Sequence, residues 1–147
     1  VASFLTSSAS LNKLTSIGAS SPNRLVYSLA AGAPVEPTTK VIAVKSITGL
    51  SVASYLGWTA SATVTVRDVN TGSNLANATV KGRFSTIFSS GSTVSCTTDS
   101  AGICKLSSAS MSRSVPSTQF SVTGLSGTGM TYDASQNSAS QIVISRP

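Results

Sequence analysis

In ATVTVRDVNTGSNLANATVKGRFS, residues 62–85, apolar and polar side chains alternate on either side of a turn. Val64 and Val66 alternate with Thr63, Thr65 and Arg67. After the NTGS turn at residues 70–73, one face carries Val80, Gly82 and Phe84, continuing to Thr86 and Phe88, and the other carries Lys81, Arg83 and Ser85. A period of two places alternate side chains on opposite faces, the pattern of a strand with one buried and one wet face.

Similar short runs flank this stretch. Candidate strands are VIAVKSI (41–47), STVSC (92–96), ICKLSS (103–108), STQFSVTG (117–124) and QIVIS (141–145), separated by turn-forming residues. With the two strands of the opening stretch they make about seven, and no helical pattern of ordinary length interrupts them. The expected fold is all-β: an immunoglobulin-like antiparallel β-sandwich of about seven strands, residues 41–147, preceded by an N-terminal arm containing a short strand. A small closed barrel has the same periodicity and stays open as the alternative. PVEPTTK, with two prolines, reads as a linker over residues 34–40, which makes residues 1–33 the arm.

Composition agrees with strands. About a third of the 147 residues are Ser or Thr, and only a tenth are charged. The net charge of +6 comes from ten Lys and Arg scattered without a run, against Glu36, Asp68, Asp99 and Asp133. Nucleic-acid binding calls for a clustered basic stripe with interleaved aromatics, so no nucleic acid is expected as a partner. No apolar run has the length to cross a bilayer, and the chain starts without the pattern of a signal peptide. A processed fragment or mature secreted product is the expectation.

Cys96 and Cys104 flank a DSAG turn in SCTTDSAGICK. The spacing suits a disulfide across a hairpin, a feature of oxidising compartments. Zinc is the competing reading, although the chain has no histidine and no second cysteine pair. Trp58 and Tyr132, far apart in sequence, read as packing residues.

The chemistry of catalysis is thin. Without histidine the usual serine-hydrolase triad cannot be assembled, and no SxxK spacing supplies a lysine base. Four scattered acids offer no carboxylate pair. GLSGTGM (124–130) lacks the Lys-Ser/Thr of a phosphate loop, and DVNTGSN (68–74) reads as a hairpin turn with one carboxylate. No enzyme activity, metal or cofactor is expected. Asn77-Ala78-Thr79 is a sequon, which makes Asn77 a candidate for N-linked sugar.

SIGASSPNRLVYSL, residues 16–29, resembles the end of the catalytic domain in secreted bacterial subtilases of the proteinase K type, where an IGxGSPNRLLYS-like strand closes the domain. Gly18, Ser21, Pro22, Asn23, Arg24, Leu25, Tyr27 and Ser28 match that phrase. The preceding VASFLTSSASLNKLT looks like that family's last helix and connector. Residues 62–85, VSCTTDSAGICKLSS and FSVTGLSGTGMTYD are similar to an immunoglobulin-like module appended to such proteases, with Cys96 and Cys104 at its paired positions. The resemblance implies an extracellular, bacterial protein. The protease's Asp, His and Ser motifs are absent, so activity does not carry over.

Two functions follow as expectations. One is a structural subunit that forms a homo-oligomer or pilus-like filament, donating the strand Arg24, Leu25, Val26, Tyr27, Ser28, Leu29 to a neighbouring sandwich. The other is an accessory module that contacts a cell surface, a polysaccharide or a protein substrate.

Overall fold

The structure is a computed structural model that describes the strands Ala9–Leu11 and Arg24–Val26 and residues 39–147. The chain divides into two units, Val1–Glu36 and Pro37–Pro147. The division falls within the Pro-containing linker expected from sequence. Lys40, which closes that linker in the sequence reading, already opens a strand.

In the first unit β1 (Ala9–Leu11) pairs antiparallel with β2 (Arg24–Val26), setting Ser10 opposite Leu25. The sequence reading had the Ala9–Leu11 stretch as connecting chain. Three residues are too few for an alternation to register.

The second unit is a sandwich of two sheets. One has the order β10 (Met130–Tyr132), β3 (Lys40–Ala53), β4 (Gly57–Asp68), β7 (Ile103–Ser107), with β8 (Met111–Ser112) pairing beside β7 on β4. The other has the order β11 (Gln141–Ser145), β9 (Ser117–Ser126), β5 (Thr79–Ser85), β6 (Thr93–Thr97). All ladders are antiparallel except β10 on β3. All seven sandwich strands expected from sequence are present. In the constant immunoglobulin order the fourth strand pairs with the fifth. Here β6, the fourth long strand, pairs with β5, the third, which leaves three long strands in one sheet and four in the other.

Strand β4 shows why the alternation folds as it does. Trp58, Ala60, Ala62, Val64 and Val66 all point inward and are buried, while the residues between them are half-exposed. They meet Val80, Phe84, Phe120, Leu125 and Ile144 from the opposite sheet in one continuous core. Phe84 and Phe120 sit opposite each other on β5 and β9, with ring centroids 4.8 Å apart and planes tilted by 47°. Gly82, two residues before Phe84, makes room for that ring: a Cβ there would lie 2.4 Å from Phe120 Cζ.

The two sides of the sandwich are closed differently. On one, β11 packs over β3 where Gly49 admits Ile144, whose Cγ1 lies 2.6 Å from where a Cβ would stand. Beside it a bulge at Lys45 interrupts the β3–β4 register, and Val44 N–H donates to Asn137 Oδ1 at 2.8 Å. On the other side the edges are β6 and β7, and the link between them is the Cys96–Cys104 disulfide.

Candidate functional site

The disulfide is present, with a geometry that differs from the hairpin expected from sequence. Cys96 lies on β6 and Cys104 on β7, edge strands of opposite sheets. The DSAG segment does turn: the Asp99 carboxylate accepts N–H bonds from Ala101 and Ile103, and Gly102 takes φ +72°. That turn carries the chain from one sheet to the other. The DVNTGSN segment turns as expected, with Arg67 and Asn74 in an antiparallel bridge and Asp68 N–H donating to the Ser73 carbonyl at 2.9 Å, before the chain crosses from β4 to β5. Asp68 caps it, accepting Asn70 N–H at 2.9 Å.

Among the described residues β6 has β5 as its sole ladder partner, and β7 has β4. Each strand therefore turns a row of backbone polar groups away from its own sheet. Along this open side the sheets part toward the Thr93 end of β6 and leave a cleft of about 350 Å³. Phe84, Val94, Met111 and Val115 form its apolar wall, with Phe88 at its rim.

Two tight turns stand at this same end of the sandwich. Between β3 and β4, Ser54 and Gly57 exchange backbone hydrogen bonds of 2.8 and 3.4 Å around a tip of Tyr55 and Leu56. After β5, Thr86 and Ser89 exchange bonds of 2.8 and 3.2 Å around Ile87 and Phe88. The tip side chains are 89, 83, 76 and 72 % exposed in chain order. The sequence reading continued the β5 alternation through Phe88. The strand stops at Ser85 because the chain turns there, and Phe88 lies at the surface.

Acidic side chains gather at one end, where Lys40 opens β3 and Arg67 precedes Asp68. Among the described residues the side-chain carboxylates are Asp68 at the close of β4, Asp99 in the β6–β7 turn and Asp133 after β10, all at the end opposite the tips. The tip end carries Arg113 and Arg146. Arg113 Nη2 donates to the Tyr55 carbonyl at 2.7 Å, and Arg146 Nη1 donates to the Arg113 carbonyl. Both guanidinium side chains line a second cleft of about 330 Å³ beside Trp58.

Other residues singled out from sequence are dispersed. Arg24, Leu25 and Val26 form β2, and Tyr27, Ser28 and Leu29 lie outside the described residues. Asn77 is exposed and takes a left-handed φ of 61° between the β4–β5 crossover and β5. Trp58 is buried, its Nε1 donating to the Val115 carbonyl, and the Tyr132 hydroxyl accepts from Asn137. Among the described residues no three Cys, Asp or Glu side chains come together as a metal site, and no helix is long and apolar enough to cross a membrane.

The sequence reading missed Tyr55, Leu56, Ile87, Val94 and Met111. A detectable signal existed for the tips. Two-residue turns favour Gly, Asn and Asp, so a large apolar pair where the chain must reverse contradicts turn chemistry. No family model, curated protein or solved structure matches the chain.

Proposed function

We propose that the chain is a non-catalytic, extracellular structural subunit that assembles by placing its strand Arg24–Leu29 on the open side of a neighbouring copy. The observation that carries this reading is the pair of edges β6 and β7, which have no outer ladder partner among the described residues and flank an apolar cleft. An edge of this kind is a template for a further strand. The donor has matching needs. A ribbon of three residues against three, as in β1 and β2, is marginal in water and gains from joining a larger sheet. In an extended Arg24–Leu29, Leu25, Tyr27 and Leu29 share one face, which suits a groove walled by Val94, Phe84 and Met111. Donation from copy to copy is a heterologous contact, which grows into filaments unless its rotation closes a ring.

Electron microscopy of the full chain and of the chain lacking residues 1–33 tests this. Regular filaments that vanish on deletion are expected. An identical assembly state before and after deletion overturns strand donation.

The resemblance of residues 16–29 to a subtilase ending favours a second reading, an accessory surface- or substrate-binding module from the carboxyl terminus of a secreted subtilisin-like protease. On that reading the shortened chain stays folded and keeps its ligand.

A further inference from the structure

We propose that the end of the sandwich bearing Tyr55, Leu56, Ile87 and Phe88 docks on the surface of an anionic lipid bilayer. Three observations on different residues point the same way.

The first is the pair of turns. Their tips hold four of the seven large apolar side chains that the described residues leave exposed. Tyr55 and Leu56 extend a ridge that continues down the outer face of β3 through Val52 and Leu50, also more than half exposed. A tight turn needs none of these side chains, and exposing them costs solubility. Their place at the extremity of the fold suits shallow insertion into the boundary between headgroups and acyl chains.

The second is the position of the positive charge. The Arg113 guanidinium is fixed to the carbonyl of Tyr55 itself, so a cation stands at the base of the apolar tip. Arg146 is tied in turn to Arg113. With the tip inserted, guanidinium groups at that height meet lipid phosphates, for which their planar donors are suited.

The third is the segregation of Asp68, Asp99 and Asp133 to the far end. Among the described residues the docking end has no Asp or Glu side chain to repel an anionic surface. Each arginine near such a surface contributes about 1 kcal/mol, a factor of about five in partitioning. Contact by this end does not depend on strand donation.

The test is flotation of the full chain with vesicles of phosphatidylcholine, alone or mixed with phosphatidylglycerol, in a density gradient. The unmodified chain is expected to float with the mixed vesicles and at least tenfold less with phosphatidylcholine alone. Arg113→Gln with Arg146→Gln lowers partitioning by about 25-fold, two factors of five. Tyr55→Ser with Leu56→Ser lowers it at least tenfold and leaves far-ultraviolet dichroism unchanged, because both side chains are exposed. Absence of flotation with either vesicle overturns the proposal. So does flotation that ignores the tip substitutions and disappears in salt, which marks the diffuse attraction of a basic protein. A tip variant that instead changes assembly without vesicles also overturns it, assigning this end to a second copy of the chain.

Discussion

Cys96 and Cys104 join strands that share no ladder: one is the outer strand of the four-stranded sheet, the other an outer strand of the facing sheet, and their Cα atoms are 6.0 Å apart. The bond ties together the side of the sandwich on which neither edge has a further strand among the described residues. Replacing both cysteines by serine is expected to lower stability by roughly 2–3 kcal/mol, the loop-closure contribution of so short a span. For a domain of this size that corresponds to a melting-temperature loss of about 9–13 °C. Hydrogen exchange locates the effect: the amides of β6 lose protection first, while those of β3 and β4 keep theirs. Equal melting with and without reductant would count against the bridge as a stabilising element.

Thr98 is buried immediately after β6 and satisfies two backbone groups across the crossover. Its Oγ1 accepts Ala78 N–H at 2.9 Å and donates to the Leu75 carbonyl at 2.8 Å. Thr98→Val keeps the shape and strands both groups, which costs roughly 2–4 kcal/mol when each loses its partner away from water. Thr98→Ser retains the hydroxyl and is expected to lose less than half as much. Urea unfolding of the three proteins decides the matter, and equal midpoints for Val and Ser would mean that the two hydrogen bonds of the hydroxyl contribute no more than the methyl that serine lacks.

Sequence pattern and structure agree where a signal is local. Val64, Val66, Val80 and Phe84 alternate with polar residues, and the strands they define are present with those side chains buried. Pairing between distant strands leaves no such mark. Cys96 and Cys104 are as close in sequence as two sides of a hairpin, and nothing in SCTTDSAGICK distinguishes a turn within a sheet from one between sheets. The β3 strand runs on to Ala53 through Gly49, because Gly49 serves the close approach of Ile144, a long-range cause that reads locally as a break. Tyr55 and Leu56 mislead for the opposite reason: apolar side chains suggest burial, and their exposure depends on the reversal of the chain between Ser54 and Gly57.

Gly82 and Phe120 form a contact that only glycine permits. Gly82→Ala introduces a methyl group against the ring and is expected to cost about 1–3 kcal/mol by overpacking. Phe120→Leu in the wild-type background also destabilises, by loss of packing against Phe84. Combined, the two cost less than their sum, because the smaller side chain vacates the space that the methyl needs. A double-mutant cycle by urea denaturation measures the coupling. Strict additivity would place the strain at Gly82 elsewhere, the Ser121 carbonyl being the next nearest group at 3.0 Å.

Val94 offers the most direct approach to the open edge. Its side chain is half-buried on the inward face of β6, at the wall of the apolar cleft, with Gly82 opposite on β5. An inward-pointing lysine on an edge strand disfavours addition of another strand, since its charge must be desolvated under the incoming chain, whereas in the separate subunit the long stem lets the ammonium reach water. Val94→Lys is therefore expected to cost the isolated subunit only about 1 kcal/mol and to raise the concentration needed for assembly at least about tenfold, the equivalent of 1.4 kcal/mol per contact. Light scattering across a dilution series measures the threshold, and the melting temperature controls for folding. A threshold unmoved in a folded variant would remove β6 from the assembly contact and leave the β7 edge as the acceptor.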